Sequence, residues 1–413
     1  MINEKKLYRR EIVREIEKFL DSPEILVLHG ARQVGKTSIM LFLSNEIIAK
    51  EPQTQTYYFD LEIPRFLELG NSGHEAFYDY LIGRGYDKDK KAFVFIDEIQ
   101  YLADPSKFLK LFYDNYKGGI KLIVSGSSSF EIKSKFKNSL VGRTMNFEIW
   151  PLDFSEFLIF RQKKYFLEQK NRSLAISEEL VGLWKEYARF GGYPQIVLEQ
   201  DIAKKEAYLS QIIDTYIKKD IRDLANIQNL EKFNKLVSVL ASQSGKLLNV
   251  SELGATAGLS RQTIEHYLFL LENTYVIKLL LPYSKSMRGE LFKTPKVYMI
   301  DSGIANLLSF KEFPQILGGD IFETAFFGEL LKRNPKLNFY FWRTAAKQEV
   351  DFIIEKKEQI IPIEVKSNSE KANLTSLKYF MEKHEVPEGK IVFLDGKDKY
   401  AKDGVEYVYP WEI

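Results

Sequence analysis

Residues Gly30-Ala31-Arg32-Gln33-Val34-Gly35-Lys36-Thr37 carry glycine, lysine and threonine at the spacing G-x-x-x-x-G-K-[ST]. Each residue type suits a polyphosphate. The glycines let the backbone close around an anion so that its N–H groups receive phosphate oxygens, while Lys36 reaches the β- and γ-phosphates and the Thr37 hydroxyl ligates Mg²⁺. Further along, the apolar run Ala92–Ile96 ends in Asp97-Glu98. At the carboxyl end of a neighbouring strand, Asp97 is expected to hold Mg²⁺ through water and Glu98 to polarise the attacking water. An apolar run ending in Asp-Glu is ordinarily just a strand reaching solvent; the upstream Lys36-Thr37 gives it this meaning. The next apolar run ends in Ser125-Gly126-Ser127-Ser128-Ser129. Ser125, with Ser127 second, could hydrogen-bond the γ-phosphate or the water; a Ser-rich turn capping the following helix is the alternative. The expected ligands are ATP and Mg²⁺.

A second constellation lies near the carboxyl end. Asp351 in EVDFII and Glu364-Val365-Lys366 in IPIEVK form D-x12-E-x-K, with Glu323 on a preceding helix. On adjacent strands, Asp351 and Glu364 would converge on a divalent cation, joined by Glu323 from the helix. Glu364 and Lys366 share one strand face at i, i+2, so Lys366 could orient the attacking water or stabilise phosphorane charge. Alternating charges on strand edges also produce this spacing by chance.

The elements that must position these residues follow from periodicity. From Glu24 to about Trp150, short apolar runs alternate with amphipathic stretches, which predicts a parallel sheet with crossover helices. The expected strands are Ile25–His29, Thr56–Asp60, Ala92–Ile96, Lys121–Ser125 and Met145–Ile149. Leu152 to about Leu224 reads as helical, interrupted by Gly191-Gly192-Tyr193-Pro194. From Leu230 to Tyr283 three helical segments, the last two joined at Gly258-Leu259-Ser260, precede two β-like runs, an order that suits a winged helix-turn-helix. Ser251 and Ser260 are expected N-caps, and Ile264, Leu268 and Leu271 are expected to be buried. Arg261, Gln262, Thr263 and His266 would face outward, where such a helix reads DNA. On the wing, Lys285, Arg288, Lys293 and Lys296 oppose only Glu290 and could meet phosphates; a winged fold used for packing or protein contact is the alternative. From about Asp301 a mixed helix and strand pattern predicts a further α/β domain. The expected division is 1–150, 151–228, 229–300 and 301–413.

Composition excludes several classes. At 45% hydrophobic and 28% charged residues the chain folds into several cores, and with no cysteine it has neither disulfides nor thiolate metal sites. Lys plus Arg number 59 against 57 for Asp plus Glu, so contact with nucleic acid must come from a local patch. The four histidines are scattered without ligand spacing. No run approaches a membrane span and the charged amino terminus lacks a secretory core, so a cytoplasmic protein without membrane contact is expected.

Together HGARQVGKTS, FIDEIQ, VSGSSS, GRTMNFEIWPLDFSEF and FGGYP resemble the AAA-type P-loop ATPases of bacteria and archaea that carry a C-terminal domain of unknown function. The resemblance covers nearly the whole chain. It implies a five-stranded nucleotide domain with a helical lid and places Arg143, just before the fifth strand, as an arginine finger for a neighbouring copy in a homo-oligomer; a solvated Arg or an intrachain ion pair is the alternative. Gly192-Tyr193-Pro194 is similar to the G-x-P turn by which the lid of related signalling ATPases approaches the nucleotide, with Arg189 a candidate sensor nearby. The C-terminal pattern resembles the PD-(D/E)xK core of restriction-endonuclease-like domains. The expected fold is thus an α/β AAA-type parallel sheet with helical lid, then a winged helix and a nuclease-like α/β domain. The resemblance implies an ATP-hydrolysing, DNA-directed protein whose nucleotide state controls the nuclease-like domain, or alternatively a signalling or scaffold ATPase whose C-terminal half binds protein and does not cut.

Overall fold

The apolar runs of the first part become five strands: β1 (Ile25–Gly30), β2 (Gln55–Asp60), β3 (Ala92–Asp97), β4 (Ile120–Gly126) and β5 (Thr144–Ile149). A computed structural model describes residues 6–126, 140–165, 167, 173–221, 227, 229–284, 294–356, 359–371, 374–396 and 401–413. The strands pair in parallel in the order β2-β3-β4-β1-β5. Every residue of β1, β3 and β4 is buried, whereas the edge strands β2 and β5 are partly exposed. Parallel sheets covered by helices on both faces bury their central strands in this way. On one face Phe77 and Leu81 of the helix His74–Gly83 and Phe108, Leu109 and Phe112 of the helix Pro105–Tyr116 pack on Val27, Val94, Ile96 and Val124.

The expectation that Asp97 ends a strand neighbouring β1 is corrected here: β4 lies between β1 and β3. Apolar runs report that strands exist, and strand order depends on how the crossovers pack. The intervening β4 puts its own carboxyl end, Ser125, between the loop and Asp97.

Close contacts divide the chain into two compact units, Met1–Trp150 and Pro151–Ile413. The second opens with a capping box in which Asp153 accepts from the Glu156 N–H and Glu156 accepts from the Asp153 N–H, starting the helix Phe154–Phe160. The helices Leu174–Phe190, Pro194–Leu198 and Ile202–Ile212 follow, the last running into a π-helical stretch, Ile213–Asp220. Gly191, at φ 79°, has no room for a side chain beside Asp301, whose carboxylate accepts from the Gly192 N–H at 2.8 Å and caps the helix Ser302–Phe310. The Gly191-Gly192-Tyr193-Pro194 turn is therefore a packing joint, and Arg189 donates to the Phe313 carbonyl at 3.4 Å.

Next come the helix Leu230–Ser242, the short β6 (Lys246–Leu247), the helices Val250–Ala257 and Arg261–Asn273 joined at left-handed Gly258, and the strands β7 (Ile277–Pro282) and β8 (Lys296–Met299). Ser260 caps the helix Arg261–Asn273, and Ile264, Leu268 and Leu271 are buried. Ser251 is not a cap: Asn249, two residues earlier, accepts from the Glu252 N–H at 3.2 Å, Asn and Ser being near-equal cap formers that local pattern cannot rank. After the helix Gly319–Arg333 come β9 (Asn338–Arg343), β10 (Glu349–Lys356), β11 (Gln359–Asn368), the helix Thr375–His384 and the strands β12 (Gly389–Asp395), β13 (Ala401–Lys402) and β14 (Val405–Val408). β7 pairs in parallel with β9 through Leu281–Tyr340 and Pro282–Phe341, so one sheet runs β13-β14-β12-β11-β10-β9-β7-β8-β6. No described helix is long and apolar enough to cross a membrane.

Candidate nucleotide site and C-terminal ion centre

The loop between β1 and the helix Lys36–Lys50 turns on Gln33 at φ 61° and Gly35 at φ 101°. Gly30 packs so tightly on the carbonyl of Ile149 that a Cβ would collide with it. Lys36 is buried and donates to the carbonyls of Gly30 at 3.1 Å and Ala31 at 2.8 Å. Burial lowers its pKa to about 8, while Glu98 and Asp97 hold it up. An incoming polyphosphate would supply the counter-charge this ammonium lacks.

Asp97 is the centre of the site. Its Oδ2 accepts from the Thr37 hydroxyl at 2.7 Å and the Tyr58 hydroxyl at 2.8 Å, and its Oδ1 accepts from the Ser125 hydroxyl. The Glu98 N–H donates to Ser125 Oγ at 3.2 Å, and the Glu98 carboxylate accepts from the Gln100 side-chain amide. Glu98 itself adopts a left-handed conformation, φ 56° and ψ 49°, unusual for a residue with a side chain. The backbone thus turns sharply just after Asp97, which separates two adjacent carboxylates that an extended strand would only alternate. These features fit Mg²⁺-ATP: a glycine loop leading into a helix start, a buried ammonium, and a hydroxyl hydrogen-bonded to a carboxylate. Thr37, Asp97, Ser125, Glu98 and Lys36 are brought together as expected, while Ser127 lies outside the described residues.

Arg143 is not part of this cluster. Thr144 pairs with Ile25 at the start of β1, and the loop begins at its far end, about 17 Å away at roughly 3.3 Å per residue. Its guanidinium pairs with Asp114 Oδ1 at 2.9 Å and Oδ2 at 3.2 Å.

Two residues that sequence reasoning missed support the site. Buried Arg10 donates to the carbonyls of Val34, inside the loop, and Trp150, each at 2.9 Å. An arginine in a charged amino-terminal stretch carries no local sign of such burial. Tyr58, on β2, stacks on Phe95 and anchors Asp97; its position near the end of a strand beside the Asp97 strand was the available signal. Tyr58→Phe keeps the ring and removes a hydrogen bond to a charged group, an interaction of about 1.5 kcal/mol or roughly tenfold. The half-saturating Mg²⁺ concentration for ATP turnover should rise about tenfold, with nucleotide binding in EDTA unchanged; an unaltered Mg²⁺ dependence would remove Tyr58 from the site.

In the second unit, Glu364 and Lys366 sit on β11, and Asp351 lies in β10 where the register with β9 shifts between Val350 and Ile353, a bulge that re-aims a side chain. Lys366 Nζ is 2.7 Å from Glu364 and 3.5 Å from Asp351, and Asp351 accepts from the Val365 N–H at 2.8 Å. Glu323 accepts from the Tyr298 hydroxyl at 2.5 Å. Burial first, and then the Asp351 charge, raise the carboxyls of Glu323 to about 7 and Glu364 to about 8. Asp351 and Glu364 are thus joined through Lys366 and the Asp351 charge acts on Glu323, but among the described residues no three such side chains are arranged to hold the expected cation.

Lys296 corrects the reading of the wing. It is 3% exposed and pairs with Glu349 at 2.6 Å and Glu323 at 3.4 Å, so it is not available to a phosphate backbone. Every residue of β8, which lies between β6 and β7, is buried, and a charge count cannot tell a covered lysine from an exposed one. Lys285, Arg288, Glu290 and Lys293 lie outside the described residues. On the helix Arg261–Asn273, Arg261, Gln262 and His266 are exposed and Thr263 is half-buried, with Arg261 paired to Glu265 at 2.8 Å.

Residues 22–158 match the family model described as AAA domain. With the sheet and the loop chemistry above, this makes the first unit an AAA-type P-loop ATPase domain. Residues 181–314 and 318–413 match two models, each described as a domain of unknown function. Among curated relatives, an uncharacterized protein of Methanocaldococcus jannaschii is 29% identical over 84% of this chain and 76% of its own length, and one of Haemophilus influenzae is 24% identical over 97% of this chain and 96% of its own. Among solved structures, a Walker-type ATPase of Pyrococcus abyssi aligns at 16% identity and a TM-score of 0.43 over 74% of this chain and 97% of that one.

Proposed function

We propose that the chain hydrolyses ATP in its first unit and uses the nucleotide state to govern engagement of DNA by the second. The observation that carries the first part is the linkage of Thr37, Asp97, Ser125 and Glu98, drawn from separate elements, at the mouth of the glycine loop. Lys36 would leave the carbonyls of Gly30 and Ala31 for the β- and γ-phosphate oxygens, and the loop N–H groups would receive the rest. Thr37 and Asp97 are the residues that would hold Mg²⁺, which would supply charge neutralisation on the phosphates. Glu98 takes a proton from water as its oxygen bonds the γ-phosphorus and the bond to the β-phosphate oxygen breaks, yielding ADP and phosphate. Ser125 orients the groups around Asp97. Arg143, too far from its own loop, is proposed to serve a neighbouring copy after release from Asp114.

DNA engagement is supported by the helix-turn-helix order and the exposed Gln262 and His266 on its second helix. For the C-terminal centre, pairing of Lys366 with both Asp351 and Glu364 favours a module that binds over one that cuts. Turnover measured with and without duplex DNA tests the proposal. DNA should stimulate it, with binding that weakens steeply with salt, and turnover per chain should rise with protein concentration unless Arg143 is replaced by Ala. Turnover indifferent to both DNA and concentration, with no salt-dependent binding, would leave the scaffold reading. Mg²⁺-dependent cutting lost in Asp351→Ala would reinstate the nuclease.

A further inference from the structure

The D-x12-E-x-K pattern calls for a divalent cation between carboxylates, and the structure puts ammonium groups there instead. Lys366 lies between Glu364 and Asp351, and Lys296 lies between Glu349 and Glu323. Arg343 adds a third cation on Glu349 at 3.1 Å. Among the described residues no group of three or more His, Cys, Asp or Glu side chains is arranged to hold a metal ion. The donor set as it stands does not fit one. Yet one acceptor is left over: Glu364 Oε2 is buried and has no hydrogen-bond partner among the described residues.

Lys296 is the unexpected member. It comes from β8, within the segment that matches one family model (181–314), whereas Glu323, Glu349, Asp351, Glu364 and Lys366 all fall in the segment that matches another (318–413). Its backbone is fixed by pairing with Leu280 of β7 and Leu247 of β6, and its ammonium sits 5.6 Å from the centre of the Phe341 ring. At 3% exposure it has no short path to solvent. A divalent cation needs carboxylate oxygens at roughly 2.0–2.6 Å, so at Glu323 it would compete for the oxygen that Lys296 and Tyr298 hold. An ammonium and a divalent cation crowded into one low-dielectric centre repel.

We infer that Lys296 is a built-in counter-ion that keeps divalent cations out of the C-terminal carboxylate centre for as long as β8 holds it between Glu323 and Glu349. The inference rests on the reading of that centre as nuclease-like. It makes the antiparallel β7–β8 pair, outside the C-terminal segment, the element that governs metal access.

Mn²⁺ bound to the nucleotide-free full-length chain, counted by electron paramagnetic resonance, tests it without relying on activity. Wild type and Asp351→Asn should bind equal amounts. Lys296→Met should gain about one Mn²⁺ per chain, and the gain should vanish in Lys296→Met combined with Asp351→Asn. An Asp351-dependent site already present in wild type would overturn the exclusion while leaving the nuclease-like reading intact. No Asp351-dependent Mn²⁺ in either protein would sink that reading and the inference with it. If thermal melts show Lys296→Met unfolded, Glu349→Gln, which frees the lysine from its shorter partner, should show a weaker Asp351-dependent gain; its absence would count equally against the inference.

Discussion

Replacing Glu98 by Gln should lower ATP turnover by roughly 10²–10⁴-fold, the contribution expected of a positioned general base, while nucleotide still binds. Gln keeps the size and the hydrogen-bonding capacity that meets Gln100 and removes only the ability to take a proton. Lys36→Ala acts on another quantity. The buried ammonium donates to the loop carbonyls of Gly30 and Ala31, and losing it should abolish tight binding. The pair is read by equilibrium binding of a fluorescent ATP analogue beside phosphate release: bound but not turned over for Glu98→Gln, not bound for Lys36→Ala. Normal turnover in either variant would remove the assignment.

The other large effect is on stability and pH. Glu329, on the helix Gly319–Arg333, is 1% exposed; its Oε2 accepts from the Phe154 N–H at 2.9 Å and the Tyr187 hydroxyl at 3.0 Å. Burial, with Asp153 adding repulsion, raises its carboxyl to about 7 despite the nearby cations of Arg333 and Lys332. Because the folded pKa lies above the unfolded value, folding favours the protonated form. The associated stability is complete below about pH 4.5 and is lost as pH rises through about 7. A shift of that size corresponds to about 3 kcal/mol. Glu323 and Glu364 push in the same direction. Urea unfolding at pH 5 and pH 8 should therefore show the second unit weaker at the higher pH, with Glu329→Gln removing about 2.5 kcal/mol of that difference, part of the shift being already lost at pH 5. Parallel pH curves for wild type and variant would show that Glu329 titrates normally.

The two sites differ in how far they could be read from the chain. The nucleotide site is a local object in most of its parts. Gly30 to Thr37 are contiguous, and Asp97-Glu98 and Ser125 each terminate an apolar run, so strand ends mark them. What local pattern could not supply were Arg10 and Tyr58, which reach the site from a charged stretch and an edge strand. The C-terminal centre is non-local. Its spacing announced Asp351, Glu364 and Lys366, and the structure does gather them with Glu323, but the spacing said nothing of Glu349, Arg343 or Tyr298.

The sequence by itself determined the five strands of the first unit to within a residue or so, the phosphate-cradling loop and the residues at its mouth, because each rests on contacts between chain neighbours or on a period of two or 3.6 residues. Only the tertiary structure decided that β4 separates β1 from β3, that Arg143 lies at the far end of the sheet from the loop, and that Lys296 is an interior counter-ion. These depend on which strand lies beside which, and on the burial that pairing creates. A lysine written the same way in the chain is a solvated charge on an open strand and, on a strand covered on both faces, the partner of two half-buried carboxylates.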